Sequence, residues 1–398
     1  MKFTELNLKP DILKALESMK FHDLTPIQEA TFPHVLAGKD LLARAETGSG
    51  KTSACAIPLM QNIDEEHNAV QALILVPTRE LALQYVSEIA QIAKFSPVEP
   101  FAVYGGADID IQKAKINHHL HVLVATPGRL IDLLRNSDLS LRHIRTVVLD
   151  EADEMLKMGF IDDVEFIMSC IIQKHQTLFF SATMPMAVNH LVKRYLKDPA
   201  SIALNIEDIA PSSLEHTFQY IGQGHRLAKL EEYLQDQNIR QAIIFSNSRH
   251  GGDKLLGRLR KKFDSVDYIH GGIEQSRRTS IFNRFKKKDI KLMVATDIAS
   301  RGLDFSHVSH VINFDFPQSH EIYTHRTGRT GRMGRVGTAL TLVTDYDLRQ
   351  LKDMLHVNRI ESPQWLGHEP DLKKVGKHHQ RQRGDRSQGR RRPAGRRR

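Results

Sequence analysis

Cysteine is nearly absent: there are two in 398 residues, Cys55 and Cys170, far apart and each in an apolar context. That excludes a disulfide-stapled secreted module and reads as reduced thiols of a cytosolic protein. No apolar run approaches the ~18 residues a membrane span needs, and the N-terminus has no apolar core of a signal peptide, so no membrane partner is expected. Histidine is plentiful at 21, yet His118-His119, His121 and His378-His379 lack a Cys/His metal spacing, and no zinc site is expected.

Excess charge of either sign is also missing from most of the chain. The net charge is +9, but Asp371 to Arg398 holds 12 of the 56 basic residues and 2 of the 47 acidic ones. The remainder carries 44 basic and 45 acidic residues, a net of −1. The basicity is a property of the tail. Lys373 to Arg398 has no Phe, Trp or Tyr, cannot bury a core, and reads as a disordered polyanion-binding arm.

What the chain does have is one pattern stated twice. Short apolar runs, each followed by small or charged residues, alternate with longer amphipathic stretches such as Glu80–Ala93 and Ala187–Leu196. In the first half the runs are Ala72–Val76, His121–Ala125, Thr146–Leu149 and Thr177–Phe180. After a polar stretch around Asn205–Ser213 they resume as Gln241–Phe245, Val266–Ile269, Leu292–Ala295, His310–Asn313 and Thr338–Val343. The expected class is α/β: two tandem domains, each a mainly parallel sheet flanked by helices.

The first domain carries the loop Ala45-Glu46-Thr47-Gly48-Ser49-Gly50-Lys51-Thr52, between an apolar run and a helix-forming run. Glycines there let backbone N–H groups close around a phosphate chain. Lys51 would reach the β- and γ-phosphates, and the Thr52 hydroxyl would take a Mg²⁺ ligand position. The run Val147-Val148-Leu149 leads straight into Asp150-Glu151-Ala152-Asp153. Carboxylates at the carboxyl end of a buried strand sit where ligands bind in open α/β sheets. Asp150 is placed to hold Mg²⁺, partly through water, and Glu151 to deprotonate an attacking water. The second domain has no such loop, which implies a single nucleotide.

Asp150-Glu151-Ala152-Asp153, in its order with the other segments, resembles the DEAD-box family of RNA helicases. Ahead of the loop, Phe21-His22-Asp23-Leu24-Thr25-Pro26-Ile27-Gln28 is similar to the family's adenine-reading Q motif, with Lys20 standing where glycine is usual. The resemblance implies that Phe21 stacks on adenine and Gln28 bonds its edge. Thr47, Gly48, Ser49, Gly50, Lys51 and Thr52 would then hold the phosphates of ATP, with Gly302 also binding the nucleotide and Asp304 touching the ribose hydroxyls. Pro77-Thr78-Arg79-Glu80-Leu81, Gly105-Gly106 and Thr126-Pro127-Gly128-Arg129 are similar to the RNA-contacting segments of the first domain. By the same resemblance Thr78, Arg79, Gly106, Thr126, Arg129, Ser248, Arg278 and Thr296 face the RNA backbone, which carries no base code.

Asp153, Ser181, Thr183, His325 and Arg326 would couple the nucleotide to duplex opening. Arg329 and Arg332, from His325-Arg326-Thr327-Gly328-Arg329-Thr330-Gly331-Arg332, would be arginine fingers and join Lys51, Asp150 and Glu151 as catalytic groups. The expected organisation is a RecA-like ATP-binding domain over 1–205, a linker over 206–215, a second RecA-like domain over 216–365 and the basic tail over 366–398. The implied activity is ATP- and Mg²⁺-dependent local separation of short RNA duplexes. An ATP-gated RNA clamp or annealing factor is the alternative. The resemblance leaves open ribosomal or mRNA-turnover proteins as partners, and the cytoplasm is the expected location.

Overall fold

The structure is a computed structural model that describes residues 1–45, 50–116, 118–137, 139–204, 214–221, 225–235, 239–297, 308–331 and 336–372. The chain divides into two compact units, and the main division lies between Ala210 and Pro211.

The first unit is built on seven strands: β1 (Leu41–Arg44), β2 (Ala72–Leu75), β3 (Pro100–Val103), β4 (Val122–Ala125), β5 (Thr146–Leu149), β6 (Gln176–Ser181) and β7 (Ala200–Ala203). They form one sheet in the order β3-β4-β2-β5-β6-β1-β7, with every pairing parallel. Parallel neighbours need crossovers, and helices supply them. These are α1 (Pro10–Ser18), α2 (Pro26–Leu36), α3 (Lys51–Asn62), α4 (Arg79–Ile92), α5 (Ile109–Ile116), α6 (Pro127–Asn136), α7 (Ala152–Lys157), α8 (Ile161–Ser169) and α9 (Met186–Tyr195). Both sheet faces are covered, so the central strands are buried throughout and read as unbroken apolar runs. The two-residue period still sorts their side chains. Ile74, Leu178 and Phe180 enter one core, while Leu73, Leu75 and Phe179 enter the other.

The second unit repeats the plan with β8 (Leu214–Tyr220), β9 (Ala242–Phe245), β10 (Val266–Ile269), β11 (Leu292–Ala295), β12 (His310–Asn313), β13 (Gly337–Val343) and β14 (Gln364–Trp365). The order is β10-β11-β9-β12-β13-β8-β14, again all parallel. Its helices are α10 (Arg226–Leu234), α11 (Arg249–Leu259), α12 (Gln275–Lys286), α13 (His320–Thr327) and α14 (Leu348–Val357). Two RecA-like sheets in tandem are therefore the architecture expected from the sequence. No helix among the described residues is long and apolar enough to cross a membrane.

Because every pairing is parallel, each unit gathers the carboxyl ends of all its strands on one edge. That edge is where side chains from distant parts of the sequence can meet.

Candidate active site and nucleic-acid interface

In the first unit the sheet order sorts the expected site residues into two neighbouring groups. Lys51, Asp150 and Glu151, and Ser181 follow or end β1, β5 and β6, which lie side by side. Thr78 and Arg79, Gly106, and Thr126 and Arg129 follow β2, β3 and β4, which are contiguous on the other side. The border runs between β5 and β2, where Asp150 N–H donates to Leu75 O at 3.0 Å.

Gly50 caps α3 with φ +95°, and a Cβ on it would lie 2.8 Å from Thr25 Oγ1 and 3.2 Å from Gln28 Nε2. Only glycine fits both the backbone and the space. Gln28 accepts from Thr25 N–H at 2.9 Å and donates to Gly50 O at 3.4 Å, so it ties the start of α2 to the loop. Phe21 is half-buried against the first core. Thr52 sits in the first turn of α3. Thr47, Gly48 and Ser49 lie outside the described residues.

Lys51 is buried, donating to Ala45 O at 3.1 Å with its Nζ 3.5 Å from Asp150 Oδ1. Burial works against its charge. The carboxylates of Asp150, Glu151 and Asp153 outweigh that and raise the ammonium pKa above its usual value. Asp150 is held on two sides, accepting from the Tyr85 hydroxyl at 2.8 Å and from Glu151 N–H at 2.8 Å. Burial, and then the charge of Asp150, push the Tyr85 phenol well up, so it stays a donor. Tyr85 is absent from the sequence reading because a tyrosine on the buried face of α4 looks like ordinary core. Its one distinguishing atom is the hydroxyl.

Glu151 has φ +51°, a left-handed conformation costing a non-glycine residue roughly 1–2 kcal/mol. It forms the corner at which β5 ends and α7 begins. Asp153, two residues on, accepts from both Thr183 Oγ1 at 2.7 Å and Thr183 N–H at 3.1 Å, while Ser181 Oγ donates to Thr183 O at 2.6 Å. The three residues expected to couple the site in this unit are thus one hydrogen-bonded cluster.

Among the described residues no three His, Cys, Asp or Glu side chains group tightly enough to hold a metal by themselves. Mg²⁺ makes no such demand, since it is commonly bound through one or two carboxylates, waters and substrate phosphates. Asp150, a buried hard-oxygen donor fixed by two hydrogen bonds, fits that use, with the Thr52 hydroxyl in the same loop-helix region.

On the neighbouring strands, Thr78 caps α4 by accepting from Leu81 N–H at 3.3 Å, and Arg79 lies over the Tyr104 ring at 4.3 Å. Gly106 has φ +80° with open space around it. Thr126 is the N-cap residue of α6. Both terminal nitrogens of Arg129 donate to Ala107 O at 3.1 Å, so its fork holds the Gly105-Gly106 loop in place.

The second unit divides the same way. Ser248 follows β9, Arg278 lies in α12 after β10, and Thr296 follows β11; these three strands are contiguous. Ser248 is exposed and caps α11 by accepting from Gly251 N–H at 3.0 Å. Arg329 is buried and donates through Nε to His325 O at 3.1 Å. Arg326 is 1% exposed, and its guanidinium donates to Asp297, Asn247, Asn313 and the Asp315 carbonyl at 2.6–3.2 Å. Any coupling through it passes along those partners. Gly302, Asp304 and Arg332 lie outside the described residues.

Residues 25–191 match the DEAD/DEAH box helicase family, and residues 225–334 match the helicase conserved C-terminal domain. The chain is 41% identical over 352 residues to the DEAD-box ATP-dependent RNA helicase CshA of Bacillus cereus, covering 88% of this chain and 67% of that protein. It is also 41% identical to CshA of Geobacillus kaustophilus, covering 90% and 76%. This chain belongs to the DEAD-box RNA helicases. Among solved structures, this DEAD-box protein resembles S. cerevisiae Dbp5 bound to RNA and ADP BeF3, with TM-score 0.84 and 27% identity over 92% of this chain and 95% of that one. It also resembles the DEAD-box helicase Mss116 bound to ssRNA and UDP-BeF, with TM-score 0.82 and 30% identity over 94% and 81%.

Proposed function

We propose that this DEAD-box protein couples ATP hydrolysis to the local separation of short RNA duplexes. The observation that carries the reading is the buried Lys51–Asp150 pair beside the left-handed Glu151, one strand away from the loops expected to hold RNA. Lys51 is kept charged to neutralise phosphate oxygens. Glu151, presented by its backbone corner at the strand end, takes a proton from the attacking water. Gln28 and Phe21 select adenine. Thr52 and Asp150 would hold Mg²⁺, which would supply further neutralisation of phosphate charge. Arg329 and Arg332 contribute cationic stabilisation of the transition state. The remaining predicted contacts, Thr78, Arg79, Gly106, Thr126, Arg129, Ser248, Arg278 and Thr296, offer hydroxyls, N–H groups and guanidinium to backbone and sugar, so intrinsic base preference is low. A cytoplasmic setting accords with this reading.

The test is ATPase activity with and without RNA, beside strand separation of a short duplex, for the parent and Glu151→Gln. The parent should be stimulated by RNA. The variant should bind ATP and RNA but lose about 10²–10⁴ in turnover, the usual worth of a general base. A parent whose hydrolysis ignores RNA would defeat the reading.

A further inference from the structure

Outside the tail the protein is electrically balanced, yet one edge of the second unit is not. Helices α11 and α12 both start at the carboxyl edge of the sheet and run back to its amino edge, where β10 and β11 begin. Their last turns and the loops that follow bring nine exposed lysines and arginines between residues 258 and 291 to that amino edge. The acids there are few. Asp267 is shared by Arg260 and Arg284, each at 3.3 Å, Lys262 is paired with Glu231 at 2.6 Å, and Asp264 and Asp289 are the other acids of these loops. Lys261, Lys286, Lys287 and Lys291 have no ion-pair partner among the described residues.

The ordinary reason for lysine at a helix end is the dipole, which presents roughly half a negative charge per C-terminus. Two helices need about one cation between them by that reasoning, and nine are present. The surplus is an electropositive surface.

We infer that this amino edge is a second RNA-backbone surface, reserved for the structured RNA that flanks the gripped strand. The inference rests on the RNA-helicase reading. The same two helices carry Ser248 and Arg278 near their starts, so one element joins the expected strand-gripping edge to the basic one. Helices of 11 and 12 residues place the two edges about 16–18 Å apart, a short step along a nucleic-acid backbone. The exposed groups are mostly lysine ammoniums, point charges suited to phosphate without base readout.

The experiment uses the full chain and two RNAs: a short single strand, and the same strand carrying a hairpin stem. Lys261, Lys286, Lys287 and Lys291 are changed together to Gln, and a control changes Lys115, Lys174, Lys193 and Lys197 of the first unit to Gln. For the stem RNA the first variant should bind at least about tenfold more weakly, with a plot of log affinity against log salt shallower by about 3–4, a little under one for each of the four phosphates no longer neutralised. Its affinity for the short strand, and ATPase stimulation by that strand, should match the parent. An unchanged slope on the stem RNA overturns the proposal, as it would if the surface served an acidic protein instead. So does an equal drop on the short strand, or an equal drop in the control, since either would mean net charge and not location. If RNA stimulates no ATPase in the parent, the helicase reading itself has failed, separately from this one.

Discussion

Lys20 and Glu151 both hold left-handed backbone, with φ +59° and +51°, and receive different returns for it. Lys20 closes α1: its N–H donates to Glu17 O and Phe21 N–H donates to Leu16 O, both at 2.9 Å, the double bond of a Schellman stop. The geometry calls for glycine, and it also aims Phe21. Lys20→Gly should raise stability by up to about 1 kcal/mol, since relief of left-handed strain exceeds the added freedom of the unfolded chain. A fall in urea midpoint would show that the lysine stem makes a contact worth more than the strain. Glu151 has no such exchange available, because its side chain is the expected base.

Elements were legible wherever burial was two-sided. The runs Thr146–Leu149, Val266–Ile269, Leu292–Ala295 and His310–Asn313 match β5, β10, β11 and β12 residue for residue. Strands without that cover were not legible, whereas β10, an edge strand whose four residues are all buried, was. β3 opens on Pro100, β7 is only half-covered, and β8 reads Leu-Glu-His-Thr-Phe-Gln-Tyr, so none has the apolar density that marks a central strand. The site shows a similar limit. Residues that would touch nucleotide or RNA belong to recognisable segments, as do Asn247 and Asp297, while Tyr85 and Asn313, which also hold the site, become visible only in space. Arg326 is the clearest case, pinning α13 to the ends of β9, β11 and β12. Arg326→Met should cost the second unit about 3–5 kcal/mol, because the buried guanidinium from which Asp297, Asn247 and Asn313 all accept is then gone. Arg326→Lys should recover little, since an ammonium cannot reproduce a planar fork. Urea unfolding measures both, and a destabilisation below about 1 kcal/mol for the methionine variant would refute the pinning role.

At the scale of the whole molecule, the second unit should be weakened by acid. His216 on β8 is partly buried, with its Nδ1 2.6 Å from the Tyr323 hydroxyl. Burial lowers its pKa from 6.5 to about 4. A folded pKa below the unfolded one means the contribution is complete above pH 6.5 and disappears as pH falls through the window from 6.5 to about 4. The second unit should be weakened by about 2 kcal/mol at pH 5 through this group, at 1.36 kcal/mol per pH unit. Unfolding followed at pH 7 and pH 5 tests it. His216→Gln should flatten the pH dependence, and an equally steep profile in that variant would assign the effect elsewhere.

The order of the first sheet has an evolutionary consequence. Residues expected to handle ATP and those expected to handle RNA share one edge but occupy separate runs of strands, with a single ladder, β5 against β2, as the common boundary. Loops after β2, β3 and β4 can therefore diverge, lengthen or be exchanged between paralogues while the loops after β1, β5 and β6 keep their hydrogen bonds. The grip on the RNA backbone and the fuel chemistry are separately heritable in such a sheet.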